Sequence, residues 1–216
     1  AAASRMRKIR FGTPEAYRQC RADGNADTPR DCHPERPTIE GRPRYRTGLV
    51  DAFDVAPKVE LHLHLEGAIP PGALWGLVQA CGDPETPTLE AMTSRFEYRD
   101  FAHFIETWQW MLPFIRTPDD WTAMAEAVAR SLAAQNIVYA EASISPTDFR
   151  QHELPVAEIA LAVRRGLDRV EGTRVNLLVD LVRDTGPAWC ARTLEQVIEV
   201  AAEVAIVGIT IGGSEH

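Results

Sequence analysis

Residues 57–71, PKVELHLHLEGAIPP, decide how the rest of the chain is read. KVELHLHLE predicts a short strand. The PPGALWGLVQAC that follows (70–81) predicts a helix, because proline is tolerated at a helix start, where its missing N–H has no partner to lose. Side chains two apart on a strand face the same side, so His62 and His64 share a face. A strand running through a turn into a helix is the beginning of a crossover unit.

The same unit recurs downstream. After a Pro-rich loop come two helical stretches, RDFAHFIETWQWMLPFI (99–115) and TPDDWTAMAEAVARSLAAQ (117–135). In the second, Thr117 is the expected N-cap, Pro118 the first helical residue, and Asp119 and Asp120 favour the positive helix end. Trp121, Met124, Ala125, Val128 and Leu132 recur at helical spacing and predict a buried stripe. IVYAEASIS (137–145) then reads as a strand. PVAEIALAVRRGLDRV (155–170) is a helix with Val156, Ile159, Ala160, Val163 and Leu167 on one face, and RVNLLVDLV (174–182) is a third strand. TLEQVIEVAAEV (193–204) predicts a helix with Leu194, Val197, Ile198 and Ala201 inward, and AIVGITIGG (205–213) a fourth strand ending in paired glycines. Strands this apolar, separated by amphipathic helices, indicate a parallel sheet buried by its crossovers. The class is α/β, with four strand-plus-helix units of which the last lacks its helix. An open doubly wound sheet and half of an eight-stranded barrel both predict this string. The absence of a phosphate-binding glycine fingerprint after the first strand weighs against a dinucleotide site.

Upstream the character differs. Residues 1–56 are rich in Arg, Pro, Gly and Asp without sustained periodicity, and are expected to be a poorly ordered extension. The runs RMRKIR and RPRYR within it read as solvated charge clusters. The whole chain has 216 residues and a net charge of -8, which argues against a nucleic-acid partner and fits a small neutral substrate. No apolar run is long enough for a membrane helix and no signal-peptide core is present, so no membrane partner and a cytoplasmic location are expected. Cys20, Cys32, Cys81 and Cys190 show no C-x-x-C spacing, so reduced thiols are expected.

The histidine pair carries the chemistry. Two imidazoles on one strand face can converge on one metal ion, and zinc (Zn2+) suits such ligands, although a catalytic zinc keeps at least three protein ligands. Six histidines in 216 residues produce roughly 0.17 H-x-H pairs by chance, so the spacing alone is weak. The setting strengthens it. The pair ends a strand that enters a loop, where barrel enzymes place ligands, and paired inward imidazoles without a role are costly to desolvate.

PKVELHLHLEGAIPP closely resembles the opening motif of the adenosine deaminase family, and the order of elements from Pro57 to His216 is similar throughout. The resemblance implies that residues 57–216 are the N-terminal half of a metal-dependent (β/α)8 TIM barrel, its first four strands. It implies that His62 and His64 bind zinc, that His64 also lies against the substrate, and that Glu66 contacts the substrate's sugar. Many adenosine-specific members carry aspartate at this last position. Glutamate looks more like the branches that include adenine deaminases and aminodeoxyfutalosine deaminases. VGITIGGSE resembles the family segment whose glycine meets the purine ring through its backbone, here Gly213, with Thr210 and Ser214 standing where acids are common.

Other residues have structural readings of equal weight. Phe104 and Trp108 fall where the family has an apolar lid, yet their i, i+4 spacing is also that of ordinary core. Glu141, Ser143 and Ser145 share a face of the second strand, as do Asn176 and Asp180 of the third, which suits a barrel mouth or structural hydrogen bonding. His33, His103 and His152 read as surface histidines. The resemblance implies hydrolytic deamination of an amino-purine nucleoside or base with release of ammonia, an aminohydrolase acting on C–N bonds of cyclic amidines. The family's remaining ligands and its acid–base groups lie on later strands, so this chain is expected to be incomplete and inactive alone. The alternative expectation is a non-catalytic half-barrel, a binding or structural unit that forms a homo-oligomer through its open edges.

Overall fold

The computed structural model describes residues 52–146 and 154–213. The expectations for residues 1–51, including His33, Cys20 and Cys32, and those for His152, Ser214 and His216, lie outside the described residues. Residues 52–55 form one helical turn ahead of the first strand.

The elements follow one another as β1 (Lys58–His64), a 3-10 turn (Glu66–Ala68), α1 (Pro71–Cys81), α2 (Leu89–Ser94) and α3 (Phe101–Met111). Then come α4 (Pro118–Ala134), β2 (Ile137–Ile144), α5 (Val156–Leu167), β3 (Arg174–Asp180), α6 (Pro187–Val200) and β4 (Ile206–Thr210). The four strands form one sheet in the order β1-β2-β3-β4, every neighbouring pair parallel. This order decides between the two architectures left open above. A doubly wound sheet reverses its strand order at a switch point, whereas a barrel adds each strand beside the last. The crossover helices pack on one another in sequence, α4 on α5 and α5 on α6, as on the outside of a barrel wall. The architecture is a four-stranded segment of a β/α barrel, half of the eight strands that close one.

Local chemistry sets the elements. The Thr117 hydroxyl accepts from the Asp120 N–H while the Asp120 carboxylate accepts from the Thr117 N–H, a reciprocal cap that starts α4 at Pro118 as expected. Trp121, Met124, Ala125, Val128 and Leu132 are all buried, as are Val156, Ile159, Ala160, Val163 and Leu167 of α5. Between these two helices the buried Thr122 hydroxyl donates to the Ala162 carbonyl at 3.0 Å. The inner strands β2 and β3 bury Ala140, Ala142, Ile144, Val175, Leu177 and Val179 against this layer.

Two expectations are corrected. The Pro-rich loop contains the short helix α2, started by Thr88, whose hydroxyl accepts from the Ala91 N–H, and anchored by buried Met92. Helix α6 begins at Pro187, six residues before the expected start, and its buried positions are Thr193 and Val197. Ile198 is 68% exposed rather than inward, and Ala201 lies beyond the helix end, half-buried. The buried face of α6 is marked by Thr193 and Val197, four residues apart, and Ile198, about 100° further round, turns to solvent.

Candidate metal and ligand site

β1 is not a regular strand. Glu60 pairs with Ala140 and Leu63 with Ala142, so three residues of β1 span two of β2, and the extra residue bulges at Leu61–His62. The Glu60 carboxylate accepts from the His62 N–H at 3.1 Å within the bulge. Bulges re-aim side chains. Here the two imidazoles lie with ring centroids 5.6 Å apart and planes inclined by 45°. Two imidazoles bonded to one zinc at its usual distance have centroids about 5 to 6 Å apart, so the pair fits as two of the ligands of one ion. Among the described residues no set of three His, Cys, Asp or Glu side chains is close enough to hold a metal, so the pair is a half-site here.

Both histidines open into a cavity of about 290 Å³ at the carboxyl ends of the strands, with Ser143, Leu178, Asp180 and Thr210 on its wall. Register explains the grouping. His64 lies beside Ser143, Ser143 beside Leu178, and Asp180 beside Thr210, so each row projects to the same side of the sheet. The apolar side chains between them point outward to the helices.

Helix α3 packs beside the second histidine. Trp108 meets His64 edge-on with centroids 5.8 Å apart, and Phe104 lies behind Trp108 at 6.5 Å. The indole also covers Gly67, where an added Cβ would come within 2.7 Å of Trp108 Cζ3, so only glycine lets the indole rest on the chain there. Trp108 packs against the hydrophobic core, as the core reading expects, and also touches His64.

Glu66 is fully buried, and its Oε1 accepts from the Ser145 N–H at 2.9 Å. It does not line the histidine cavity. The Ser145 hydroxyl donates onward to Asp180 Oδ2 at 3.4 Å, and the Thr210 hydroxyl donates to Asp180 Oδ1 at 3.0 Å. A polar belt thus crosses the mouth from the turn after β1 to the end of β4. Gly213 is exposed with φ of +97°, one residue beyond Gly212, which is the glycine on the cavity wall. Arg183 holds this strand end by donating to the carbonyls of Gly212 and Ile211.

Lower in the sheet the Tyr139 hydroxyl donates to Glu141 at 2.8 Å and accepts from Asn176 at 3.1 Å, an internal network that occupies two of the polar strand residues. The Glu141 hydrogen bond pushes the Tyr139 phenol above its ordinary value, and desolvation adds to it. His103 accepts from the Arg99 N–H and takes no part in the cavity.

The sequence profile of the family described as Adenosine deaminase matches residues 57–216. The chain belongs to the adenosine deaminase family. It is 34% identical over 125 residues to the aminodeoxyfutalosine deaminase of Streptomyces coelicolor, covering 57% of this chain and 28% of that protein. It is 24% identical over 165 residues to the adenine deaminase of Bordetella avium, covering 74% of this chain and 52% of that protein. The chain thus spans about half the length, or less, of these family relatives. Among solved structures it resembles an amidohydrolase from Burkhoderia ambifaria with bound Zn, with a TM-score of 0.71 and 25% identity over 83% of this chain and 50% of that one. The adenine deaminase from Arthrobacter aurescens superimposes with a TM-score of 0.65 at 24% identity, over 74% of this chain and 49% of that one, and shows the same fold. No helix among the described residues is long and apolar enough to cross a membrane.

Proposed function

We propose that this chain carries the metal-binding first half of a zinc-dependent aminohydrolase that removes an amino group from a purine nucleoside or base, in the cytoplasm. The observation that carries this reading is the bulged end of β1, where two exposed imidazoles 5.6 Å apart open into a cavity at the carboxyl end of a parallel sheet. His62 and His64 would hold the zinc. Such an ion, when bound, supplies Lewis-acid polarisation and a water of lowered pKa at neutral pH. The chain's own residues do the remaining work. Leu178 forms apolar surface on the cavity wall suited to a purine ring, Trp108 packs edge-on against His64, and Ser143 offers a hydroxyl beside it. Gly213 is assigned to the ring through its exposed backbone, and Glu66 to the sugar end.

Ammonia release from adenosine, adenine and aminodeoxyfutalosine, measured with added zinc, tests this reading. This chain alone is expected to release no ammonia while it binds zinc, and its zinc affinity should fall by a factor of about 100 or more in His62→Ala/His64→Ala. Turnover of an aminopurine that is indifferent to both histidines would overturn it.

A second reading rests on a different observation. Val59 and Leu61 of β1 are 60% and 59% exposed, and Val207 and Ile211 at β4 are 56% and 64% exposed. Such edges could serve a non-catalytic half-barrel that pairs with a copy of itself. Light scattering on the eluting protein separates the two, because a stable homodimer with no affinity for zinc favours the second.

A further inference from the structure

Asp180 ends β3 inside the mouth, only 6% exposed, and lines the cavity that also holds His62 and His64. Its bonds are those to the hydroxyls of Thr210 and Ser145, and no basic side chain among the described residues pairs with it. Two hydroxyl donors require only an acceptor. A neutral asparagine or threonine oxygen would serve them, and burying a formal charge without a counter-charge is unfavourable. The charge therefore exceeds what the strand ends need for their mutual hydrogen bonding.

The surroundings keep room for this carboxylate and for something beyond it. A Cβ at Gly212 would lie 2.6 Å from Asp180 Oδ2 and 3.0 Å from Oδ1, so the chain is bare where the carboxylate rests. A carboxylate offers about four acceptor positions, of which the two hydroxyls take two. The remaining capacity faces the cavity. Asp180 does not join the histidines in a three-ligand metal cluster, so its role is not metal ligation by these residues.

We propose that Asp180 is a specificity-determining ligand contact, an acceptor for a hydroxyl or N–H donor of an uncharged ligand, and that it excludes phosphorylated ligands from this mouth. The proposal rests on the deaminase reading for the use of the cavity, but it concerns a different group from the zinc half-site. A phosphate brought here would meet a buried negative charge, and no Lys or Arg is on the cavity wall among the described residues. A sugar hydroxyl would complete the carboxylate's hydrogen bonding in a low-dielectric setting, where charge-assisted bonds are strong.

The test is binding of adenosine and of adenosine monophosphate to the protein by calorimetry, for wild type, Asp180→Asn and the swap Asp180→Thr with Thr210→Asp. Asp180 and Thr210 are register partners, so the swap returns a carboxylate to the same face from the neighbouring strand and keeps the pair's composition. Wild type is expected to prefer adenosine. Asp180→Asn should weaken adenosine about tenfold or more and narrow the adenosine-to-monophosphate ratio by a similar factor, with zinc affinity unchanged. The swap should recover a large part of that ratio. If Asp180→Asn binds both ligands with the wild-type ratio, Asp180 is structural and the proposal fails while the deaminase reading stands. If Asp180→Asn does not fold, the swap decides alone, since a folded swap with no preference for adenosine overturns the proposal. Failure of wild type to bind adenosine would overturn the proposal, whereas the deaminase reading falls only if zinc binding is also indifferent to His62 and His64.

Discussion

The inner strands β2 and β3 and the outer strands β1 and β4 have similar apolar composition and opposite fates. Leu177 in β3 is fully buried, whereas Val207 in β4 and Leu61 in β1 are more than half exposed. Sequence hydrophobicity does not distinguish them, because each strand is written for a sheet covered on its outer face by helices. Only β2 and β3 have neighbours on both sides here. The lesson concerns the site as well as stability. The histidine pair lies on an outer strand, so the chemistry stands at the least enclosed margin of the sheet, while Asp180 and Ser145 stand on the enclosed one.

The comparison breaks most visibly under truncation. Leu177→Ala should cost about 2–5 kcal/mol in urea unfolding, because it opens a cavity between β3 and the helix layer. Val207→Ala should change stability by less than about 0.5 kcal/mol, since that side chain is more than half exposed. Equal losses at the two positions would mean that β4 is covered in solution, by a copy or a partner. Gly67→Ala comes next. The added methyl meets the Trp108 indole, so a loss of about 1–3 kcal/mol is expected together with a shift in tryptophan emission. An unchanged spectrum would place Trp108 away from Gly67. Thr117→Ala removes half of the reciprocal cap on α4 and should cost about 1 kcal/mol by thermal unfolding.

The smallest expected effect depends on pH and separates the interior network from the mouth. The Tyr139 phenol is raised by its bond to Glu141, so its contribution is fully present below the ordinary tyrosine value near 10 and is lost as pH rises through the higher folded value. Burial raises the Tyr98 phenol as well, so tyrosinate absorbance should develop late for both, and Tyr139→Phe should remove only part of that late component. A late component of unchanged amplitude in Tyr139→Phe would contradict the Glu141 bond as a cause.

Much of this was legible in the chain. The stripe of α4 and its Thr117 cap, the face of α5 and all four strands follow from spacing and capping chemistry. The shared polar face of Glu141, Ser143, Ser145, Asn176 and Asp180 was visible too, since a strand's period of two makes such rows explicit. What the residues do with that face was not. Tyr139 captures Glu141 and Asn176 in a private network, while Asp180 is turned to the cavity, and that division depends on register between strands far apart in sequence. The bulge at Leu61–His62 leaves no local signature, because its cause is the pairing of β1 with β2. The onset of α6 was hidden for another reason: Gly186 at φ +86° precedes Pro187 and supplies no side-chain cap to announce the helix.

The central claim is that His62 and His64 are two ligands of one zinc ion. Zinc titration followed by NMR of the histidine ring signals tests it most directly, because it reads each imidazole separately. The account predicts that His62 and His64 shift together along one binding curve while His103 stays unmoved. Independent shifts of the two, or a response led by His103, would contradict it.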